Sequence, residues 1–519
     1  MGFGFIDLKT AVILLSWPSG NEKKLLLFCQ AFEHPQSRYF STFVAQPFPL
    51  KLFPMKKVLF VFAIVFIATQ IIAQKANQKA NQKNEIRIPI KTESWTSKEN
   101  RTAFVDHKGV PSFEMNSGSE LMTAKDVTFT NGTLEFDMDL KEGFAGCYFH
   151  FENENNSELV YLRDVPDPTK SVGAIQYAPI IKGVNMWDMM YHYQTGANFK
   201  KGEWTHFKFV ISGSQMLVYV NDMSRPTLEI PRLEGDTTTG GIAFNGNCFI
   251  ANVVLKPNET AGLSPNAGFD PTNYDIRYMR NWQVSEPEPL PLGQELNNSE
   301  LPDIRTKWQQ VSAERMGLIN LSRIYGNSSA RRYVWLRTKI TATKEVKRKI
   351  DFGFSDEVWV FLNDALTYAD KSLYGQGMRK KPDGRISIDN SSFEITLKEG
   401  QNDLLIGLSN DFYGWGIIAR LDDLEGLQLS TDYKEESINP EFEQYFGTYA
   451  SKTMPLKIKV TQKNEKLSAM ALGQRPILMD PSGKDTFKFD QYGIVIEFVP
   501  AEKKMTLKEG GQAIELLKE

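Results

Sequence analysis

Short segments in which hydrophobic and polar residues alternate run through residues 86–257. Alternation with a period of two predicts β-strands that bury one face, and no segment here shows a strong helical period. The predicted strands are 132–140, 146–151, 159–162, 241–244 and 249–255. Turn pairs such as Asn131-Gly132 and Gly240-Gly241 separate strands. Many short strands divided by turns predict a β-sandwich of the jelly-roll type over 86–257.

The stretch 163–222 carries the strongest pattern within this region. Two alternating runs, 206–212 and 215–221, flank a Ser-Gly-Ser turn and predict a β-hairpin. An aromatic and polar segment precedes the hairpin, and a Gly-Glu-Trp turn at 202–204 lies between the two. We interpret this stretch as the one around which the first module is organised.

A second β-rich module is predicted from 292 to 430, after residues 258–291, which are rich in Pro, Asn and Gly. We interpret 258–291 as a linker that also holds the first strand of this module. The continuously apolar run within 357–362 predicts a strand that is buried on both faces. Asn363-Asp364 and residues 398–402 are predicted hairpin turns.

Residues 440–519 alternate short strands with hairpin turns, which predicts a small β-barrel. The predicted fold class is therefore all-β: a jelly-roll sandwich, a second jelly-roll module and a small C-terminal β-barrel.

The N-terminal region has a different character. Residues 55–73 begin Met-Lys-Lys and continue with an apolar core that is too short to span a membrane comfortably. This pattern predicts a secretion signal that ends at Ala73. Our hypothesis is that translation starts at Met55, that 1–54 is a non-native extension and that 74–85 is a flexible leader. The mature chain is then secreted, periplasmic or at the cell surface, with no membrane span.

Composition narrows the function classes. The formal net charge of −3 leaves none of the basic footprint that nucleic-acid binding requires. We find no phosphate loop, dinucleotide fingerprint or H-E-x-x-H motif, so no cofactor and no metal are predicted. Aromatic residues make up 12% of the chain, which favours β-sandwiches. Cys147 and Cys248 lie on two predicted strands, and either a disulfide or two buried thiols fits their spacing.

Three family resemblances follow from these segments. TLEFDMDL, AGCYFHF, QYAPIIKGVNMW and GGIAFNGNCFIANVVLKP in 86–257 resemble the concanavalin A-like lectin/glucanase superfamily, notably the laminin-G-like and keto-disaccharide-hydrolase-like domains of bacterial secreted proteins. SDEVWVFLND, LKEGQNDLLIGLSN and the GWG segment resemble galactose-binding-like jelly rolls. Residues 440–519 resemble the accessory barrel of beta-lactamase-related serine hydrolases, but the S-x-x-K nucleophile motif of that family is absent from 55–519.

Glu135, Asp137 and Asp139 form an acidic strand, E-F-D-M-D, whose carboxylates share one face. Laminarinase-like glycosidases of the superfamily that 86–257 resembles use an E-x-D-x-E strand. Retaining hydrolysis needs two carboxylates about 5 Å apart, close to the separation of alternate strand residues. The shorter Asp139 departs from that pattern. We favour a solvated outer face, so no catalytic residue is assigned and these three stay candidates.

The aromatic and polar residues of 163–222 are the stronger candidates for binding. Flat rings stack on the apolar faces of sugars, and side chains such as Asn, Gln and Arg satisfy sugar hydroxyls. The predicted ligand-binding residues are Arg163, Gln176, Tyr177, Asn185, Trp187, Tyr191 and Tyr193. The other interpretation is that these rings belong to the core.

These patterns predict a secreted, multi-module carbohydrate-binding protein that assists glycan capture or breakdown. Its partner would be a poly- or oligosaccharide. The first alternative is a glycoside hydrolase or related glycan-cleaving enzyme that uses the first sandwich. The second is a structural or assembly protein, in which the C-terminal barrel mediates homo-oligomerisation.

Overall fold

The structure, a computed structural model, describes residues 85–97, 102–433 and 436–519, with side chains described at all of these except 117–120. The described residues belong to one compact unit, Ala76–Glu519. The non-native extension, the secretion signal and nearly all of the leader lie outside the described residues. Within them, strands dominate and helices are short, so the prediction of an all-β chain is confirmed.

The first module is a sandwich in which long strands pass from one layer to the other. Its strands are β1 (Ile86–Arg87), β2 (Trp95–Ser97), β3 (Ala103–His107), β4 (Val110–Ala124), β5 (Gly132–Asn153), β6 (Asn156–Arg163), β7 (Ile175–Tyr177), β8 (Ile180–Ile181), β9 (Val184–Asn185), β10 (Gln194–Thr195), β11 (Thr205–Ser212), β12 (Gln215–Val220), β13 (Leu228–Ile230) and β14 (Gly241–Pro257). The path β10-β7-β6-β5-β11-β12-β13 runs through the sheet, and β14 pairs with β1, β4 and β5. The predicted hairpin is confirmed as β11 and β12.

Four of the predicted short strands are parts of two long ones, which corrects the prediction of separate strands. β5 pairs with β11 through its first half and with β6 through its second half, and β14 accompanies both halves. The register of β14 shifts at Gly246, where φ is +112°. A Cβ on Gly246 would lie 2.8 Å from the Cβ of Ala145, so glycine permits the close approach of the two strands there.

The core of this sandwich is aromatic and contains Cys147 and Cys248 as free thiols. Phe136, Phe207 and Phe244 lie within it, and the rings of Phe136 and Phe207 stack at 4.9 Å. Cys147 and Cys248 are buried and unbridged. Burial raises the pKa of the Cys248 thiol to about 12, so it stays protonated at neutral pH.

The second module is a sandwich of two sheets. Its strands are β15 (Asn281–Ser285), β16 (Glu288–Pro289), β17 (Trp308–Ser312), β18 (Leu318–Asn320), β19 (Arg332–Ala342), β20 (Val346–Ser355), β21 (Glu357–Leu362), β22 (Ala365–Lys371), β23 (Ser391–Leu397), β24 (Gly400–Asn410), β25 (Gly416–Leu421) and β26 (Leu427–Ser430). One sheet has the order β17-β15-β19-β24-β21-β22, with β16 and β26 beside β19. The other has the order β18-β25-β20-β23. A short helix, α1 (Leu321–Tyr325), follows β18, and 3-10 turns span Asn298–Glu300 and Arg315–Gly317.

Strand β21 is buried along its whole length, as predicted. Val358 and Val360 belong to the core between the two sheets, whereas Trp359 and Phe361 pack into a second cluster on the other face. Asn363-Asp364 closes the β21–β22 hairpin with positive φ at both residues, which confirms that turn.

The third module is a closed barrel, and its closure confirms the predicted small β-barrel. Its strands are β27 (Gly447–Ala450), β28 (Lys457–Lys463), β29 (Lys466–Ala471), β30 (Ile477–Gly483), β31 (Thr486–Phe489), β32 (Ile494–Val499), β33 (Lys504–Glu509) and β34 (Gln512–Lys518). A short helix, α2 (Pro440–Glu443), precedes it, and 3-10 turns span Asp490–Tyr492 and Pro500–Glu502. Alternate residues such as Ile458, Val460 and Leu467 fill the interior.

Polar contacts join the modules within the compact unit. The barrel contacts the second sandwich through an ion pair between Lys463 and Asp364 (2.5 Å) and a hydrogen bond from the Gly473 N–H to Ser299 Oγ (3.0 Å). No helix among the described residues is long and apolar enough to cross a membrane.

Candidate functional site

The candidate carboxylates of the acidic strand share one face of β5, and each is bound to basic or amide groups. The expectation of a solvated face is wrong for Asp139, which is 1% exposed, whereas Glu135 and Asp137 are partly exposed. The contacts are Glu135 with Lys256 (2.9 Å), Asp137 with His206 Nδ1 (2.6 Å) and Asn252 (2.6 Å), and Asp139 with His107 Nε2 (2.8 Å) and Lys108 (2.7 Å). The hydrogen bond to Asp137 raises the pKa of His206. A glycosidase nucleophile must be free to attack the sugar. In the acidic strand, each carboxylate is instead engaged in ion pairs or hydrogen bonds with neighbouring side chains.

Two of the predicted ligand-binding tyrosines lie in the interior. The hydroxyl of Tyr177 donates to Glu158 Oε2 (2.6 Å) and accepts from the N–H of Glu234 (2.6 Å). The hydroxyl of Tyr193 donates to Glu234 Oε1 (2.9 Å). Tyr177 is 0% exposed and Tyr193 is 3% exposed, so both rings serve the core and neither reaches the surface.

Two further predicted residues, Gln176 and Asn185, contact the backbone of Trp187. The Gln176 amide donates to the Trp187 carbonyl (2.6 Å), and Asn185 Oδ1 accepts from the Trp187 N–H (3.1 Å). The indole packs in a cluster with Tyr148 and Tyr161 and is only 8% exposed. Sugar stacking on Trp187 would need an exposed ring face, and the structure instead places this ring in the core, which is the other interpretation of these rings. Its polar neighbours hold its backbone instead of facing a ligand.

Side chains of the second sandwich cover Trp187. The ring centroid of Tyr374 lies 4.8 Å from that of Trp187, and that of Tyr413 lies 5.9 Å away, both edge to face. Phe412 stacks in parallel with Tyr374 at 5.9 Å. Tyr374, Phe412 and Tyr413 are 45%, 40% and 47% exposed. We call the set Tyr161, Trp187, Tyr374, Phe412 and Tyr413 the aromatic surface.

Two buried carboxylates hold the segment that carries Phe412 and Tyr413. Asp356 Oδ2 accepts from the N–H groups of Asp411 and Phe412, both at 2.7 Å. The carboxylate of Asp188 accepts from the N–H of Gly414 (3.0 and 3.2 Å). Burial raises the pKa of Asp356 to about 7 and that of Asp188 well above its usual range. We call 411–414 the cover loop.

Gly414 permits the close contact between the cover loop and the first sandwich, because no side chain would fit at this position. A Cβ there would lie 2.6 Å from Asp188 Oδ1 and 2.8 Å from Met189 Sδ. Tyr191 also lies at this junction, where its hydroxyl accepts from Ser387 Oγ (3.2 Å). Tyr191 therefore joins the sandwiches.

Two arginines border the aromatic surface. Arg163 is half-buried, donates to the Gly173 carbonyl (2.8 Å), and contacts the Tyr161 hydroxyl and Gln176 Oε1. The guanidinium of Arg385 lies 5.0 Å from the centroid of the Trp187 ring. Exposed rings beside half-buried guanidinium groups form a surface that can stack on an apolar ring face and donate hydrogen bonds at its edge.

Sequence reasoning placed Arg163, Gln176 and Trp187 near this surface and missed the residues that the second sandwich supplies. Those residues are Tyr374, Arg385, Phe412 and Tyr413. They lie about 200 positions from Trp187 along the chain, and no spacing rule connects them. The Phe-Tyr-Gly-Trp-Gly run at 412–416 is the signal that could have suggested an aromatic loop. In the described part of the chain, no group of three or more His, Cys, Asp or Glu could hold a metal ion.

The chain matches no known protein-family profile and no curated protein. The chain is similar in structure, over 31% of its length, to a carbohydrate-binding module from Bacillus subtilis, of which 95% is covered (13% identity, TM-score 0.24). It is also similar to a beta-glucanase from Bacillus licheniformis (12% identity, TM-score 0.25; 34% and 99% covered). A third similar structure is domain 4 of an extracellular arabinanase from Geobacillus stearothermophilus (12% identity, TM-score 0.22; 31% and 82% covered).

Proposed function

We propose that this protein binds carbohydrate at the aromatic surface between its two sandwiches. The observation that carries the proposal is that Tyr374, Phe412 and Tyr413 expose two-fifths or more of their area side by side. Large exposed rings in contact with one another are unusual on a monomer surface and mark binding sites. Three rings here present π-faces or edges to solvent within one patch.

The polar groups around these rings favour a sugar over a purely apolar ligand. Sugars combine apolar C–H faces with a rim of hydroxyls, and a site for them pairs rings with hydrogen-bonding groups. Arg163 and Arg385 supply donors at the edge of the patch, and the Tyr374 and Tyr413 hydroxyls can both donate and accept. Phe412 and Tyr413 lie on the cover loop, which the buried carboxylates of Asp188 and Asp356 hold in place, so this part of the site is preformed.

Substitution of the exposed rings tests the proposal. Tyr374→Ala and Phe412→Ala should each weaken binding to a polysaccharide panel by about tenfold or more, because stacking area is lost. Each should change the free energy of unfolding by no more than about 1 kcal/mol, since the rings lie at the surface. Affinity electrophoresis and urea denaturation measure the two effects.

Tyr492→Ala is the matched control, because Tyr492 is 61% exposed and lies on the barrel, outside the aromatic surface. It should bind like the wild type. If Tyr374→Ala and Phe412→Ala both keep wild-type affinity for every glycan bound, the aromatic surface is not the site.

The wider part of the proposal is that the protein is exported and assists glycan capture as a multi-module protein. It rests on the predicted secretion signal at 55–73. Mass spectrometry of the native protein tests it, and any peptide from before Met55 would contradict the proposed start.

A further inference from the structure

The aromatic surface carries positive charge that no carboxylate of the described chain pairs with directly. Arg163 uses its guanidinium on neutral oxygens only, those of Gly173, Tyr161 and Gln176. Burial is the main cause that lowers the pKa of the Arg163 guanidinium. The nearby guanidinium of Arg385 lowers this pKa further. Two guanidinium groups that repel each other are a costly arrangement unless something offsets it.

Arg385 differs from its neighbours in the same segment. Arg379 pairs with Asp383 (2.9 Å) and Lys380 pairs with Asp370 (2.6 Å). The side chain of Arg385 makes no hydrogen bond or ion pair with any residue of the described chain, and its Nε is buried without a partner. A buried donor without an acceptor destabilises the fold, so an acceptor supplied from outside the chain would remove that penalty.

The acids nearby do not neutralise this pair. The Asp188 carboxylate, which lies within range of Arg385, already accepts from the Gly414 N–H, and burial raises its pKa well above the usual range. Asp356 is fully engaged with the N–H groups of the cover loop and with Ser355. Asp411 is exposed at the start of the loop. Arg163 and Arg385 are each partly exposed, so part of each side chain reaches solvent next to the rings.

We infer that the glycan recognised here is anionic, and that Arg163 and Arg385 together bind an oxyanion on the sugar. This inference rests on the proposed function and adds the chemical class of the ligand. The carboxylate of a uronic acid and a sulfate ester share this chemistry. The guanidinium presents donors in a planar fork that matches such oxyanions, and Tyr374 stacks on the ring that carries the group.

Polygalacturonate and its fully methyl-esterified form provide a matched pair of probes, since esterification removes only the charge. Wild-type full-length protein should bind polygalacturonate at least about tenfold more tightly than the ester, and raised salt should weaken that preference. Arg385→Gln should abolish the preference while keeping the weaker binding of the ester. Arg385→Lys keeps the positive charge but loses the planar fork of donors, so it should retain part of the preference for polygalacturonate.

Arg379→Gln is the control variant, because Arg379 lies in the same segment and is paired with Asp383. It should keep the full preference. Dextran sulfate and dextran form the second pair of probes. If Arg385→Gln loses the preference for dextran sulfate over dextran but not the preference for polygalacturonate over its ester, the oxyanion is a sulfate. Polyglutamate tests for charge alone.

The outcomes separate this inference from the proposed function. Equal binding of polygalacturonate and its ester, together with equal binding of dextran sulfate and dextran, overturns the anionic class. The anionic class is also overturned if Arg385→Gln retains the preference in both pairs of probes, or if polyglutamate binds the wild type as tightly as the anionic glycan does. In those cases the loss of neutral-glycan binding on Tyr374→Ala still upholds the proposed function. If no glycan of either charge binds, the proposed function fails and this inference fails with it.

Discussion

Glu158 shows how its surroundings set the charge of a single side chain. It is 0% exposed, and it accepts a hydrogen bond from Tyr177 without an ion pair. Burial raises the pKa of Glu158 to about 8, a change that the Tyr177 hydrogen bond opposes. The group is therefore largely protonated in the folded protein at neutral pH, whereas it is ionised in the unfolded chain.

This difference predicts a stability that falls as pH rises. Between about pH 4.5 and about pH 8 the folded state holds a proton on Glu158 that the unfolded state has lost, so the free energy of unfolding declines by up to about 1.4 kcal/mol per pH unit. Glu158→Gln cannot ionise and should show a shallower decline. Urea denaturation at pH 5.5, 7.0 and 8.5 measures it. Asp356, with its pKa raised to about 7, keeps a slope of the same sign in the variant. Parallel wild-type and variant slopes would contradict this account.

At the same scale, the sequence could not tell a ligand-facing ring from a buried one. Tyr177 and Tyr193 alternate with polar residues as surface rings do, yet their hydroxyls bond Glu158 and Glu234 inside the sandwich. The sequence indicated correctly that Trp187 belongs to an aromatic cluster, but it could not predict how much of the ring is exposed. Exposure depends on which other part of the chain lies over a ring, and local sequence does not encode that.

The elements of this chain were predicted more fully than their connections. Period-two alternation located the strands because one face of each must be buried. It divided β5 into two pieces because residues 141–143 are polar or glycine and resemble a turn, although the strand continues past them. It divided β14 in the same way at the Asn-Gly-Asn run 245–247. Residues 398–402 were predicted to be a hairpin turn. That prediction is wrong, because β23 and β24 belong to different sheets and do not pair with each other.

The cover loop is the element on which the candidate site depends most. Gly414→Ala places a Cβ against Asp188 and Met189, so the loop must shift and its hydrogen bond to Asp188 is lost. We expect a cost of about 1–3 kcal/mol in stability and a loss of glycan binding. Gly377→Ala is the control, since a Cβ at Gly377 meets nothing within 4 Å. Thermal denaturation and binding assays on both variants check this, and wild-type affinity in Gly414→Ala would show that the loop tolerates displacement.

At the scale of the whole molecule, the two sandwiches share a polar seam. Arg323 on α1 donates to the Glu234 carbonyl (2.6 Å), pairs with Asp236 of the first sandwich, and pairs with Glu314 (2.5 Å) of the second. Lys182 donates to the Ile324 carbonyl across the same seam (2.9 Å). The predicted boundaries at 257 and 291 stay predictions, since these contacts hold both modules in one compact unit.

Removal of Arg323 should loosen that seam. Arg323→Ala leaves Glu314 and Asp236 without their partner and should cost about 2 kcal/mol. We expect calorimetry to show one melting transition for the sandwiches in the wild type and a broadened or divided one in the variant. Arg379→Ala loses only an exposed ion pair and should change stability by less than about 1 kcal/mol. An unaltered profile for Arg323→Ala would place the coupling elsewhere, in the Asp188–Gly414 joint.

The cover loop also changes how this protein should be divided for study. Each sandwich has a hydrophobic core of its own, yet the proposed binding rings of the second sandwich rest on the first, because Tyr374 packs against Trp187 and Phe412 stacks on Tyr374. A truncated first sandwich would expose Trp187 as a bare ring and lack its partners, so a screen on that fragment would report a specificity that the intact protein does not have. The smallest piece that recognises ligand is larger than the smallest piece that encloses a core.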